Sequence, residues 1–207
     1  MVRYVGPQSF PQGFHVPLIL ASTSPIRRFM LAEAGVDAAA IAPSVDEESL
    51  KQSHQGDASS LALRIAEAKA LSLHRPGDLV IGSDSTLSVE GRLFSKPADG
   101  EDAARHLTYF SGKQMMLSSA VALARDGVVE WRHVDTARLD LRELSPGFIE
   151  NYLNQEWPEV AYCVGVFRME GRGVTLFEAI DGNHFTILGM PLLPLLGALR
   201  ERGMMPS

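Results

Sequence analysis

Apolar positions along the chain follow two different spacings, and each spacing predicts one kind of element. Compact apolar runs at 17–21 and 79–82 are typical of short buried strands. Between them, the 59–73 segment repeats apolar residues at helical spacing, which predicts an amphipathic helix. The same criteria predict further strands at 38–42, 87–89, 92–94, 115–124, 128–134 and 174–177, and further helices at 25–34, 102–109, 145–153 and 191–202.

The order of these elements predicts the fold class. Helices and strands mix without the strict alternation of a doubly wound fold, so we expect an α/β protein with a mixed sheet flanked by helices. The dipeptides Glu90-Gly91 and Asp126-Gly127 each separate two strands and indicate hairpins. Because 207 residues suit one domain, we assign 16–207 to a single domain and 1–15, which has little periodicity, to an N-terminal extension.

Composition narrows the classes of function. The formal net charge of −6 argues against a nucleic-acid-binding protein, since affinity for nucleic acid comes mainly from basic residues. A single cysteine, Cys163, excludes an intramolecular disulfide framework and a multi-cysteine zinc site. No apolar run approaches the roughly 20 residues of a membrane span, and no basic stretch followed by an apolar one opens the chain. We therefore expect a cytoplasmic protein that binds neither nucleic acid nor membranes.

A first candidate site lies where the strand 17–21 leads into the next helix. Ser24 has the properties of a helix N-cap, and a proline follows it at the first helical position. Arg27 and Arg28 then fall in the first turn, where the helix dipole disfavours each cation by about 0.3–1 kcal/mol. A bound anion would offset this cost, and the hydroxyls of Ser22 and Ser24 with the guanidinium groups suit a di- or triphosphate. The alternative is that both arginines are solvated.

Two acidic positions are candidates for metal binding or catalysis. Glu47 lies in the run Asp46-Glu47-Glu48, whose charges repel unless they are dispersed or bind a hard cation; the alternative is a solvated loop. Asp84 comes shortly after the apolar run 79–82, and a carboxylate at the end of a core strand is costly unless it is paired, metal-bound or catalytic. Capping of a turn is the alternative for Asp84. With a metal bound, Asp84 could deprotonate a coordinated water.

Two lysines could supply positive charge to the same site. Lys69 lies at the edge of the apolar stripe of the 59–73 helix, and Lys96 precedes Pro97, which favours an extended backbone. Each could equally be an ordinary lysine with a buried aliphatic stem. The sequence contains no P-loop, no Gly-x-Gly-x-x-Gly and no Gly-x-Ser-x-Gly motif, which excludes several common enzyme classes.

Taken in order, seven short motifs resemble the Maf family of nucleotide pyrophosphatases. They span about 17–203, and each is weak alone, but their shared order and spacing make a chance match improbable. The motifs are Ala21-Ser22-Thr23-Ser24-Pro25-x-Arg27-Arg28, Val45-Asp46-Glu47, Lys69-Ala70, Ile81-Gly82-Ser83-Asp84, Lys96-Pro97, Ser111-Gly112-Lys113 and Leu188-Gly189-Met190-Pro191.

The resemblance implies a fold and a reaction. The fold is an elongated α/β architecture similar to that of the inosine triphosphatases, often dimeric, with an active cleft between two lobes. The reaction converts a nucleoside triphosphate, including non-canonical or modified nucleotides, to the monophosphate and pyrophosphate. It is the hydrolysis of an acid anhydride, and it serves a house-cleaning role in nucleotide metabolism.

The resemblance also implies roles for individual residues. Asp84 matches the base and a ligand of a divalent metal, Mg²⁺ or Mn²⁺, and Glu47 matches the second metal ligand. Lys69 and Lys96 match the phosphate-contacting lysines, and Arg27 matches the second arginine of the Ser-Pro-Arg-Arg signature. The expected catalytic residues are therefore Asp84, Lys69 and Lys96, and the expected phosphate-binding residues are Ser22, Ser24, Arg27 and Arg28.

Three departures from the family pattern concern the nucleotide base. Ile26 replaces the first signature arginine, Ser85 replaces a Thr or Gln, and Glu170 replaces the Gln of a Gln-Gly pair. By resemblance, the dTTP/UTP-hydrolysing branch has Arg, Thr and Gln here, and the 7-methyl-GTP branch has Trp, Gln and Glu. Glu170 agrees with the second branch, but Ile26 cannot stack on a methylated base as an aromatic ring would. The sequence therefore leaves the preferred nucleotide base open. Two alternatives to a general triphosphate pyrophosphatase remain: an enzyme restricted to 7-methyl-GTP, and a non-catalytic nucleotide-binding regulator of cell division.

Overall fold

The computed structural model describes residues 17–73 and 75–206, so the predicted extension at 1–15 lies outside the described residues. The helices are α1 (Pro25–Glu33), α2 (Glu47–Gln52), α3 (Ala58–Leu71), α4 (Gly100–Phe110), α5 (Pro146–Glu156), α6 (His184–Ile187) and α7 (Leu192–Glu201). The strands are β1 (Leu18–Ala21), β2 (Ala39–Ile41), β3 (Leu79–Val89), β4 (Arg92–Phe94), β5 (Gln114–Arg125), β6 (Val128–Leu141) and β7 (Phe177–Asp181). No helix in this part of the chain is long and apolar enough to cross a membrane.

The seven described strands form one mixed sheet flanked by helices, which confirms the predicted fold class. Their order is β2–β1–β3–β5–β6–β7, and β4 pairs with β3. β1 is parallel to both β2 and β3, and the other pairs are antiparallel. The two predicted hairpins are confirmed, and the residues of their turns, Glu90-Gly91 and Asp126-Gly127, all have the positive φ that a type I′ turn requires.

Helix ends follow the capping residues of the sequence. α1 begins at Pro25 after the extended Ser24, and Gly35, with φ of +72°, follows its C-terminal end. The Asp57 carboxylate accepts a hydrogen bond from the Ser60 backbone N–H at 2.8 Å and caps α3. These local signals are why the predicted helix positions agree with the structure to within a few residues.

Three strand predictions differ from the structure. The strand predicted at 128–134 continues as β6 to Leu141. The runs at 79–82 and 87–89 belong to one strand, β3, because the polar residues between them continue the pairing with β5. The predicted strand at 174–177 is wrong, since a 3-10 helix covers Arg172–Leu176 and β7 begins at Phe177. A side chain on Gly173 would overlap the backbone of Arg168, so the chain here folds back on itself rather than extending. Two short helices, α2 and α6, were not predicted.

The apolar core on one face of the sheet is divided into two clusters. Alternate residues of a strand share a face, and in β3 the odd-numbered positions face this core. Leu79 packs in a cluster with α1 and α7, whereas Leu87 packs in a cluster with α4 and α5. Ser83 and Ser85 occupy the odd positions between them, and Ser119 occupies the corresponding position of β5. A polar band therefore separates the two halves of the core.

Candidate active site

One edge of β3 lacks a strand partner over four residues, and the candidate site lies at this gap. β1 pairs with β3 only as far as Gly82, and β4 pairs with it only from Leu87 onward. Within the described residues, positions 83–86 therefore pair with a strand on the β5 side alone. β1 ends at the gap, so the loop from β1 to α1 and the N-terminus of α1 lie beside it.

Arg27 of α1 fills part of the gap. Its Nε donates to the Gly189 carbonyl at 2.9 Å, its Nη1 to the Ser83 carbonyl at 3.0 Å, and its Nη2 to the Ser85 hydroxyl at 3.1 Å. Burial lowers the pKa of Arg27, and the negative charges of Asp84 and Glu47 oppose that effect. Guanidinium carries five N–H donors, so two remain after these bonds. Arg27 thus ties α1 to β3, and the phosphate contact expected of it stays a prediction.

The loop before α1 brings the predicted phosphate-binding serines to the same place. Ser22 is buried, and its hydroxyl accepts a hydrogen bond from the Ser24 backbone N–H at 3.2 Å. The Ser24 side chain makes no capping hydrogen bond with α1, although its backbone is in the extended N-cap conformation. Arg28 is exposed and Ile26 is half-buried. Ser22, Ser24 and Arg27 therefore lie together at the gap, and Arg28 lies on the exposed side of the same helical turn.

Three predicted residues, Lys69, Asp84 and Glu47, meet in one ion-paired cluster. Lys69 Nζ lies 2.7 Å from Asp84 Oδ1 and 2.8 Å from Glu47 Oε1. The Lys69 and Asp84 side chains are only 8% and 11% exposed, whereas that of Glu47 is 42% exposed. The ion pairs offset the cost of removing the Lys69 ammonium and the Asp84 carboxylate from water. Because these residues are far apart in the sequence, the sequence alone did not indicate this contact.

Close packing of α3 on β3 positions Lys69 against Asp84. The helix meets the sheet through alanines, and Ala62, Ala66 and Ala70 form a buried cluster with alanines of β5. A side chain on Gly82 would overlap the Ala66 carbonyl oxygen and lie 2.5 Å from the Ala70 backbone nitrogen. Only glycine allows the backbones to approach this closely. The ammonium of Lys69 thereby reaches the carboxylate two residues beyond Gly82.

Glu47 reaches the cluster from α2. The carboxylate of Asp46 caps this helix by accepting from the Ser49 backbone N–H at 3.0 Å, so Glu47 begins a helix rather than a solvated loop. Burial would raise the pKa of Glu47, but the hydrogen bond and charge of Lys69 outweigh it and the pKa is lowered. Lys51 and Lys96 also lower this pKa by their charge. The alternative interpretation of the acidic run as a plain loop is therefore wrong.

Lys96 and Glu170 lie near the cluster and near Cys163. Both side chains are exposed, and Lys96 is close enough to Glu47 to lower its pKa. Burial raises the pKa of Cys163 to about 11, with Glu170 adding to the rise and Lys96 opposing it. The lysine, the carboxylate and the thiol therefore lie near one another, which brings the predicted specificity residue Glu170 close to the predicted catalytic residue Lys96.

Ser85 belongs to a hydrogen-bonded network that was not predicted from the sequence. Its hydroxyl lies 2.9 Å from the hydroxyl of Ser119, its cross-strand neighbour on β5. Ser119 in turn donates to the Thr186 carbonyl at 2.7 Å. Ser85 is therefore held by Ser119 of β5 and Arg27 of α1, and its expected influence on the nucleotide base stays a prediction.

Gly189 is the second feature that sequence reasoning missed. Its carbonyl oxygen accepts from Arg27 Nε, and the hydroxyl oxygens of Ser83 and Ser85 both lie 3.2 Å from it. Its φ of +106° is a conformation that side chains disfavour, and an added Cβ would lie 3.3 Å from Ser85 Oγ. The only sequence signal was the motif Leu188-Gly189-Met190-Pro191, to which no role had been assigned.

The cluster is suited to a divalent cation. Carboxylate oxygens of Glu47 and Asp84 already converge on one cation, the Lys69 ammonium, at 2.7–2.8 Å. Oxygen ligands of this kind suit Mg²⁺ and Mn²⁺. Within residues 17–73 and 75–206, no group of three or more His, Cys, Asp and Glu side chains is arranged to hold a metal. The two carboxylates alone would supply only part of a coordination sphere, and the divalent metal expected from the sequence stays a prediction.

Comparison with known proteins gives consistent matches over almost the whole chain. The family model described as Maf-like protein matches residues 17–202. A 7-methyl-GTP pyrophosphatase of Mesorhizobium japonicum is 48% identical, over 90% of this chain and 96% of that protein. A nucleoside triphosphate pyrophosphatase of Nitrobacter hamburgensis is 45% identical, over 91% of this chain and 95% of that protein.

Solved structures give weaker similarities. A nucleoside-triphosphatase, or dITP/XTP pyrophosphatase, of Mycobacterium abscessus is 15% identical with a TM-score of 0.41, covering 92% of this chain and 98% of its own. The Ham1 protein of Staphylococcus aureus is also 15% identical, with a TM-score of 0.44 and coverage of 90% and 99%.

Proposed function

The chain belongs to the Maf family, and from this we propose that it is a hydrolase that converts a nucleoside triphosphate to the monophosphate and pyrophosphate. The observation that carries the proposal is the ion-paired cluster of Lys69, Asp84 and Glu47 beside the N-terminus of α1. A carboxylate pair, a buried ammonium and a helix N-terminus are the groups that phosphoanhydride hydrolysis needs.

The triphosphate would lie along the loop between β1 and α1. Ser22 and Ser24 would supply hydroxyl and backbone N–H donors, and the free N–H groups of Arg27 would bind phosphate oxygens. Lys96, exposed and near Glu47, would contact another part of the triphosphate. Binding between these groups aligns the substrate with Asp84, and such alignment is a large share of catalysis.

Asp84 is the group proposed to accept the proton of the attacking water. Its carboxylate is largely buried and lies in the gap at the edge of β3. Attack at the α-phosphorus would break its bond to the bridging oxygen, so the electron pair of that bond leaves with pyrophosphate. A divalent metal held by Glu47 and Asp84 would supply charge neutralisation and a more acidic water when bound. Hydrolysis in ¹⁸O-water tests this: label should appear in the monophosphate, whereas label in pyrophosphate would contradict attack at the α-phosphorus.

A panel of nucleotides tests the function. The purified protein would be incubated with Mg²⁺ or Mn²⁺ and each of dTTP, UTP, the other common triphosphates and 7-methyl-GTP, and pyrophosphate would be measured. We expect release from at least one nucleotide, loss of release with a chelator and recovery when metal is restored. No release from any nucleotide, with either metal, would reject the enzymatic proposal and favour the non-catalytic regulator.

A restricted preference for 7-methyl-GTP is the second candidate, and two observations favour it. Glu170 is an exposed carboxylate near Lys96, where it could accept hydrogen bonds from a guanine and attract its positive methylated ring. The relative from Mesorhizobium japonicum has this activity in its name. Ile26 provides no aromatic face for the base. Broad turnover of dTTP and UTP in the panel would reject the restricted preference.

Location and assembly follow from the same proposal. A nucleoside triphosphate substrate supports the cytoplasmic location expected from the sequence. A homodimer is also part of the proposal, because the family resemblance implies one, and sedimentation of the purified protein measures it.

A further inference from the structure

The Lys69 ammonium occupies the position between two carboxylates where a divalent metal is expected to bind. It contacts Asp84 Oδ1 at 2.7 Å and Glu47 Oε1 at 2.8 Å. Both carboxylates are the expected metal ligands, so the lysine and the metal compete for the same two carboxylate groups. A lysine whose only role was to contact phosphate would not need to contact both carboxylates in the nucleotide-free protein.

The charges around this position disfavour a metal in the absence of nucleotide. Arg27 lies close enough to Asp84 and Glu47 for their charges to affect its pKa, and Lys96 affects that of Glu47. With Lys69 and Lys51, four cations therefore lie near these two carboxylates, and the positive charges outnumber the negative ones. A divalent cation would add to that charge in a partly buried place, where repulsion is poorly screened. A triphosphate, with several negative charges, would reverse the balance.

The number of ligands and the exposed position of Glu47 also disfavour metal binding without nucleotide. Mg²⁺ prefers six oxygen ligands, and two carboxylates supply only a minority of them. The described residues hold no third side chain of the usual ligating types arranged with them. Glu47 lies on α2, a six-residue helix with no buried residue, so this carboxylate can change partners at low cost. Asp84 is fixed in the centre of β3.

We propose that Lys69 is a tethered cation that holds Glu47 and Asp84 together in the nucleotide-free protein and yields their oxygens to the metal only when nucleotide binds. The proposal rests on the metal-dependent function proposed above. The nucleotide-free enzyme would then bind divalent metal weakly, and the metal would enter as its nucleotide complex. After the exchange, the Lys69 ammonium is free to turn to a phosphate oxygen.

Mn²⁺ binding to the nucleotide-free protein tests the exchange, because the electron paramagnetic resonance signal of free Mn²⁺ reports binding without any reaction. The variant Lys69→Met keeps an unbranched side chain of nearly the same length and removes its charge. Lys51→Met is the matched control, since Lys51 also affects the pKa of Glu47 by its charge but does not contact Asp84. We expect Lys69→Met to bind Mn²⁺ at least about tenfold more tightly than wild type, and Lys51→Met to differ by about twofold or less. Equal affinities for Lys69→Met and Lys51→Met would overturn the proposal.

Thermal unfolding of the wild-type protein provides a second test that does not depend on the variant folding. Millimolar Mn²⁺ alone should leave the wild-type Tm unchanged, whereas Mn²⁺ with a non-hydrolysable triphosphate analogue should raise it above the value with the analogue alone. A rise of several degrees with Mn²⁺ alone would overturn the proposal. Absence of pyrophosphate release, with the Mn²⁺ results as expected, would reject the proposed function and leave the cation exchange standing.

Discussion

Replacing Gly82 with alanine should separate α3 from β3 and thereby loosen the contact between Lys69 and Asp84. The added Cβ would overlap the Ala66 carbonyl oxygen and lie 2.5 Å from the Ala70 nitrogen, where ordinary contacts begin at 3.4 Å. Neither obstacle can rotate away, because both are backbone atoms of the helix. α3 must therefore move outward by about 1 Å, and Lys69 moves with it.

Two magnitudes follow from this displacement. Overpacking of a well-packed interface costs about 1–3 kcal/mol, so the midpoint of urea unfolding should fall by a corresponding amount. A displacement of about 1 Å of a catalytic group can cost about a hundredfold in rate. We expect kcat for pyrophosphate release to fall more than the loss of folded protein explains, because the folded fraction remains high at assay temperature.

Gly197→Ala is the matched control for this substitution. Gly197 lies in α7, its φ is ordinary and an added Cβ would have no neighbour within 4 Å, so alanine should stabilise the protein by up to about 1 kcal/mol and leave kcat unchanged. If Gly82→Ala unfolds at the wild-type urea concentration and keeps the wild-type kcat, the close approach of α3 does not position Lys69.

Three further predictions concern the binding loop, the acidic cluster and the cysteine. Arg27→Lys should raise KM for the nucleotide by about tenfold or more, because an ammonium cannot replace the three directed bonds to Ser83, Ser85 and Gly189. The control Arg64→Lys, on an exposed part of α3, should leave KM unchanged. Since the pKa of Glu47 is lowered in the folded state, its ion pair contributes stability above the ordinary glutamate pKa of about 4.3, and this is lost as pH falls below that value. Urea midpoints of Glu47→Gln should therefore depend less on pH than those of wild type in this range, and parallel curves would contradict the assignment. Because the pKa of Cys163 is about 11, only about one thiol in a thousand is ionised near pH 8. Reaction with a disulfide reagent should therefore be slow at pH 8 and accelerate up to pH 10. Fast reaction at pH 8 would contradict the raised pKa.

The helix and strand positions were mostly predictable because the deciding signals are local. Ser24 and Pro25 mark the start of α1, Gly35 marks its end, and the two Xaa-Gly dipeptides close hairpins. The strand prediction at 174–177 failed because an apolar run cannot reveal that Gly173 packs against the backbone of Arg168. β3 was predicted in two pieces because its polar centre interrupts the apolar pattern, although the backbone pairing with β5 continues.

For the site, the sequence predicted which residues take part but not the contacts between them. Residue types and family order indicated Asp84, Lys69, Glu47 and Arg27, but the spacing of these residues along the chain contains no distances. The sequence therefore did not show that Lys69 bridges both carboxylates. It also did not show that the Gly189 carbonyl receives Arg27, because that contact joins residues 162 positions apart. Long-range contacts of this kind depend on the completed sheet.

Single-turnover release of pyrophosphate by Asp84→Asn tests the central claim most directly. Asparagine keeps the size of the side chain but cannot accept the proton of the attacking water, and Asp37→Asn, at an exposed position, is the matched control. With both variants folded by circular dichroism, we predict a loss of about 10²–10⁴-fold for Asp84→Asn and the wild-type rate for Asp37→Asn. A folded Asp84→Asn protein that releases pyrophosphate at the wild-type rate would contradict the account.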